Sequence, residues 1–212
     1  MSGGGQIGPG GVRWVFSHTR FALHDAHVTQ FYQEGKNRVN SFVQAHRDSS
    51  AMVFSDGVVE ADGLRMGSCA AVLLPTGALS NEQVTTEVFS VLSDNIEAEV
   101  CGIALAMDVA IQHYVTASPD RESLFILSDC KTAIDLVINR YKVNRHAHVL
   151  GRVRSHLRTL CDLNVDVTLI WIHGHSDIYH DELADRSAKN SPRNRRRSPP
   201  PPPLRSQTET SR

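Results

Sequence analysis

Between residues 51 and 190, short apolar runs alternate with longer segments of helical composition, and the order of the two restricts the chain to a mixed α/β sheet. The runs Met52 to Ser55, Cys69 to Leu74 and Val84 to Leu92 read as strands, and Asp62-Gly63 and Thr76-Gly77 supply turn chemistry between them. Three strands so closely joined form an antiparallel meander. An Ala-rich stretch from Asp94 through Tyr114 then reads as a helix, with Asp94 and Glu97 spaced as a capping box and Gly102 as an interruption. Leu124 to Leu127 is a short buried strand, Thr132 to Tyr141 and Val149 to Leu163 are helices, Val165 to Ile172 is an apolar strand, and Glu182 to Lys189 closes the region as a helix. The expectation is a five-stranded mixed sheet, an antiparallel meander followed by parallel strands, flanked by helices.

A chain of 212 residues suits one such domain with appendages better than two. No apolar run approaches the roughly 18 residues of a membrane span, and the start MSGGGQIGPGG lacks the basic and apolar parts of a secretory signal. Cys69, Cys101, Cys130 and Cys161 are too dispersed for a disulfide framework or a zinc knuckle. An intracellular protein is expected, cytoplasmic or nuclear. Residues 1–50 form an N-terminal extension with a disordered glycine-rich start. Val28, Phe31, Tyr32, Val39, Phe42 and Val43 fall near helical spacing there, interrupted by Gly35, and predict one or two short helices. Residues 191–212, SPRNRRRSPPPPPLRSQTETSR, read as a disordered basic, proline-rich tail that suits an SH3 or WW partner, nuclear import or non-specific phosphate affinity.

The net charge of −1 conceals a segregation. Residues 1–50 carry five Lys/Arg against three Asp/Glu, residues 51–190 eleven against nineteen, and residues 191–212 six against one. An acidic middle with basic ends excludes simple electrostatic binding of nucleic acid by the whole surface.

Part of that acid sits where acid is awkward. Asp56 and Asp129 end two apolar strands of one expected sheet, and Asp185 lies on the closing helix. An aspartate at a strand end is commonly a turn former or helix cap, and Asp129 is placed to cap the next helix. Glu99, however, shares a helical face with Ile103, Ala106 and Ala110, where an unpaired charge would cost several kcal/mol unless a cation or donor compensates it. Glu97, two residues earlier, has a structural role available as the partner of Asp94, a capping interaction worth about 1 kcal/mol.

The segment Trp171-Ile172-His173-Gly174-His175-Ser176-Asp177-Ile178-Tyr179-His180-Asp181-Glu182-Leu183-Ala184-Asp185 resembles the last motif of the type 1 ribonuclease H family. Upstream, Asp56-Gly57, Ala98-Glu99 and Ser128-Asp129 resemble the other three acidic motifs of that family, in order and on the expected elements. The resemblance covers residues 51–190, and its style is similar to ribonuclease H domains of retrotransposon and reverse transcriptase polyproteins. It implies endonucleolytic hydrolysis of the RNA strand of RNA/DNA hybrids by two Mg²⁺ ions, or Mn²⁺, held by Asp56, Glu99, Asp129 and Asp185, with His175 assisting proton transfer or product departure. Arg140, Lys142, Arg145, Arg152, Arg154 and Arg158 lie around the two middle helices, where the family places hybrid-binding groups. A solvated helix face is the structural alternative for them.

The chain departs from the family pattern at His173, where Pro is usual, at Asp177, where Gly is usual and a positive φ is implied, and at His180-Asp181, where Gly-Asn is usual. Asp181 adds negative charge beside the site, with two opposite consequences: accepting a hydrogen bond from metal-bound water, or repelling substrate phosphate. The absence of an Asp-x-Glu on the first strand counts against a 3′-5′ exonuclease of this fold class, and the Trp-x-x-Gly-His motif counts against an integrase. A degenerate, non-catalytic nucleic-acid-binding module of the same fold is the remaining alternative.

Overall fold

The computed structural model describes residues 13–15, 37–60, 66–77, 81–90, 92–117, 122–138, 146–174 and 177–197. A short strand β1 (Arg13–Val15) and a helix α1 (37–46) precede the meander β2 (Ser50–Val59), β3 (Gly67–Leu74) and β4 (Gln83–Phe89). The long helix α2 (Asn95–Ala117) leads to β5 (Glu122–Ser128), α3 (Lys131–Val137), α4 (Ala147–Asp162), β6 (Val165–Trp171) and α5 (Tyr179–Arg197). The strands form one sheet in the order β1-β6-β5-β2-β3-β4. β2, β3 and β4 pair antiparallel, whereas β5 pairs parallel with both β2 and β6. The five strands expected from the sequence take these positions, and β1 adds a sixth, parallel to the outer edge of β6. Three residues beside a glycine-rich start are too few to show a period, which is why β1 is invisible in the sequence.

The run at the start of β2 is continuously apolar because both of its faces are buried. Ala51 and Val53 join the core beneath α2, α3 and α4, while Met52 and Phe54 point to the opposite face, against Val43 of α1 and Ala184 of α5. Helix α2 meets the length and hydropathy of a membrane-crossing helix, but two thirds of that window is buried, and Ile103, Ala106 and Ala110 lie in the core.

The helix ends differ in detail from expectation. The Asp94 carboxylate accepts from the Glu97 backbone N–H at 2.9 Å, as in a capping box, but the Glu97 carboxylate reaches Ser93, accepting from both its N–H and its hydroxyl, rather than returning to Asp94. The third helix ends at Val137 instead of Tyr141, and residues 139–145 lie outside the described set. The last helix runs to Arg197, well beyond Lys189 and past Pro192 into the expected tail. Proline has no N–H to give the carbonyl four residues back, that of Ala188. The buried Ser68 hydroxyl donates to that carbonyl at 2.6 Å and so compensates the missing bond. The tail beyond Arg197, with its proline run, the Asp62-Gly63 turn, and Val28, Phe31, Tyr32 and Gly35 lie outside the described residues. All four cysteines are free.

Candidate active site

The pairing of β2 with β5 runs from Ser50–Ser123 to Phe54–Leu127, and Asp56 and Asp129 each follow two residues later on their strands. Both acids therefore stand just past the last parallel pair, Asp56 within β2 where it goes on paired only with β3 and Asp129 directly after β5, close to the usual place for a ligand crevice in an open α/β sheet. Helix α2 brings Glu99 over this point because two glycines let it approach β2 closely. A Cβ built on Gly57 would lie 2.2 Å from the Ala98 carbonyl atoms, and one built on Gly102 would lie 2.8 Å from the Asp56 carbonyl oxygen. Gly102 is thus not a flaw in an Ala-rich helix but the surface on which β2 rests.

One carboxylate oxygen each from Asp56, Glu99 and Asp129 falls within 4.8 Å of the others. Asp185, from α5, lines the same cleft of about 190 Å³, together with Asp181, Glu182 and Lys189. Asp129 is held from behind: the Trp171 indole N–H donates to its backbone carbonyl at 2.8 Å, and a Cβ on Gly174 would sit 2.2 Å from its Oδ2. The Trp-x-x-Gly portion of the last motif therefore buttresses the third carboxylate. Asp185 forms an ion pair with Lys189, one turn on, at 2.6 Å.

Concentrated negative charge on largely buried carboxylates favours protonation. Burial, reinforced by Asp129 and Asp185, pushes the Asp56 carboxyl up to about 7. Burial and then Asp56 and Asp129 push Glu99 up to about 10. Asp181 rises to about 8, through burial and then Asp129, Asp56 and Asp185. Lys189 is raised by its bond to Asp185. Glu97 behaves oppositely. It is 3% exposed, and burial alone would raise it, but the Ser93 donors and His148, whose Nε2 lies 2.9 Å from Oε1, hold it below the usual carboxylate range. Glu97 is satisfied, whereas Glu99 Oε2 is buried without a hydrogen-bond partner among the described residues.

That orphaned oxygen, and the convergence of three carboxylates, fit a hard divalent cation. Oxygen ligands around one Mg²⁺ lie at most about 4.2 Å apart, and around Ca²⁺ about 5 Å. A triangle with edges up to 4.8 Å already falls within the span of Ca²⁺ and needs only a small contraction to close on Mg²⁺.

The other expected site residues divide. His175 lies outside the described residues, as do Arg140, Lys142 and Arg145. Arg152 is committed to Glu87 of β4 at 2.8 Å, tying α4 to the meander, and Arg154 and Arg158 are exposed on α4. The departures from the family pattern have structural places. Asp177 adopts a φ of 53°, the left-handed conformation that its glycine-like position implied. The His180 ring stacks on Phe54 and its Nε2 lies 3.4 Å from Glu82, pinning the start of α5 to the approach to β4. His173 Nδ1 lies 2.9 Å from the Gly174 carbonyl oxygen. Sequence reasoning passed over Lys189 as part of the cleft, although an acid four residues before a lysine on one helix face is a readable pairing.

No protein-family model matches the chain, and no curated protein sequence does either. Solved structures do. LC11-RNase H1, in complex with RNA/DNA hybrid, superposes with a TM-score of 0.52 at 11% identity, covering 67% of this chain and 99% of that one. RNase H1 from the halophilic archaeon Halobacterium salinarum gives 0.51 at 16%, covering 69% and 99%. The prototype foamy virus protease-reverse transcriptase gives 0.50 at 13%, covering 68% of this chain and 21% of that one. These superpositions, over a mixed sheet flanked by helices, show that this chain has the fold of the type 1 ribonucleases H.

Proposed function

We propose that the chain is a metal-dependent endonuclease that hydrolyses the RNA strand of RNA/DNA hybrids. The observation that carries the reading is the convergence of Asp56, Glu99 and Asp129, from three separate elements, at the carboxyl edge of a ribonuclease H sheet, with Asp185 lining the same cleft. Two divalent cations, Mg²⁺ in the first place and Mn²⁺ as a substitute, would supply a polarised water and neutralise charge on the phosphate in flight.

The chain's own groups have distinct tasks in this scheme. Asp56, on which both the Asp129 and Asp185 charges act, would be the carboxylate shared by the two cations, while Glu99 and Asp129 would help hold one and Asp185 the other. Lys189 holds the Asp185 carboxylate in place. Trp171 and Gly174 fix Asp129 from behind, so that the cluster is preorganised rather than gathered by the substrate. His175 moves a proton to or from the departing group. Arg154 and Arg158 track phosphates of the hybrid, while Arg152 is withdrawn from that role by Glu87. A reverse transcriptase context is compatible with this assignment, since a domain of this fold lies within the foamy virus protease-reverse transcriptase.

The test is cleavage of an end-labelled hybrid with Mg²⁺ or Mn²⁺ by the wild type, Asp56→Asn and Asp129→Asn. Internal cuts in the RNA strand are expected from the wild type alone. Hybrid binding without cleavage by all three would identify a non-catalytic module instead.

A further inference from the structure

The cleft contains two more acids than the proposed reaction requires, Asp181 and Glu182, and of these Glu182 is exposed whereas Asp181 is buried. Asp181 stands in the first turn of α5, one turn before Asp185 and on the same side of the helix. At 6% exposure it is more deeply buried than Asp56, at 8%. Asp129, Asp56, Asp185 and Glu182 all act on it with like charge. Of the described residues lining the cleft, six are acidic and Lys189 is the single cation, and Lys189 is already engaged by Asp185. Among the described residues no cation is therefore left in the lining for Asp181, and the unpartnered Glu99 Oε2 in the same cleft points to the same deficit.

We propose that Asp181 is a fifth carboxylate of the metal centre, raising the affinity of the cleft for divalent cations while destabilising the metal-free protein. The proposal rests on the reading of the cleft as a cation site and deepens it by naming what distinguishes this chain's site. The competing account is an ordinary acid at a helix N-terminus. A helix end offsets only a small part of the cost of burying a carboxylate among others, so the dipole alone does not account for the burial. The two accounts also differ in sign. A charge that serves the helix stabilises the protein without metal, whereas a charge that serves a cation opposes its folding until the cation arrives.

Asp181→Asn keeps the shape and the hydrogen-bonding capacity of the side chain and removes the charge. Calorimetric titration of the full chain with Mn²⁺ and with Ca²⁺, without nucleic acid, should show about tenfold weaker binding, the effect of one unit charge about 5 Å from a dication at a water-filled cleft. In EDTA, the variant should melt at a higher temperature than the wild type. Asp181→Ser should reproduce both results, and Asp181→Glu should retain wild-type affinity within about twofold. Unchanged cation affinity in the two uncharged variants, or a lower melting temperature without metal, overturns the proposal. A wild type that binds cations but leaves the hybrid intact sinks the nuclease reading and leaves this one standing. Cation binding that survives Asp56→Asn unchanged removes the cleft as the cation site, and both readings fall.

Discussion

The Asp-Gly pair of the first long strand makes a demand that a methyl group can test. In Gly57→Ala the new Cβ would lie 2.2 Å from both the carbonyl carbon and the oxygen of Ala98 and 2.5 Å from the Glu99 nitrogen, all backbone atoms of α2. Ordinary contacts of this kind are about 3.4 Å or longer, so strand and helix must separate by about 1.2 Å, with no flexible side chain to absorb the shift. Glu99 rides on this turn of the helix. A retreat of that size stretches the carboxylate triangle from at most 4.8 Å to as much as about 6 Å, beyond the span of one Mg²⁺ or Ca²⁺. Overpacking of this kind costs about 1–3 kcal/mol, or about 2–4 °C in melting temperature for each kcal/mol in a domain of this size. Urea unfolding should report the stability loss, and Mn²⁺ titration a much weaker site, although no ligand has been removed. Gly151→Ala is the control. Its Cβ would meet nothing within 4 Å, at an exposed position inside α4, so it should gain up to about 1 kcal/mol and leave cation binding alone. A Gly57→Ala protein with wild-type stability and cation affinity would refute the claim that helix–strand contact at this point positions Glu99.

The two neighbouring glutamates should separate cleanly. Glu97→Ala should cost about 1–3 kcal/mol in urea unfolding, more than a lost cap alone, because it strands the Ser93 donors and releases His148, while Glu99→Ala should abolish hybrid cleavage with little loss of stability. Equal loss of activity from both would show that the distinction is unsound. The metal-free protein should also lose stability as pH rises. Asp56, Asp181 and Glu99 hold protons up to about 7, 8 and 10 when folded, against ordinary values near 4 when unfolded, so the folded state carries the excess protons between those limits. Their contribution is complete below about pH 4 and disappears as pH climbs through the folded values. Melting temperatures in EDTA should therefore fall between about pH 6 and 9, and saturating Mg²⁺ should flatten the slope. A melting temperature that rises over that interval would contradict the shifted carboxylates.

Element type and order were readable because the apolar runs of β2, β3, β5 and β6 are short, rich in branched residues and separated by turn or helical composition. Their ends were less so. The extension of α5 past Pro192 depends on a hydroxyl from Ser68, 120 residues away in sequence, and no local rule anticipates such a donor. The same limit applies to Arg152, whose commitment to Glu87 spans 65 residues and removes it from the basic surface that its neighbours on α4 suggested. Asp177 was accessible, since a family glycine position and an aspartate both signal a left-handed residue.

The sequence by itself determined the mixed α/β sheet, because its strands are short apolar runs set off by turn and helical composition, and it pointed to Asp56, Glu99, Asp129 and Asp185, the first three of which converge and the last of which lines the same cleft. It also distinguished Glu99 from Glu97 by the cap available to one and not the other. Only the tertiary structure decided which glycines bring helix and strand together, that Arg152 is committed to Glu87, and that Asp181 is buried among the other acids rather than solvated. Those are matters of distance between elements remote in the chain, and electrostatic cost depends steeply on that distance and on burial. A residue's type states what charge it brings; its packing decides whether that charge requires a cation.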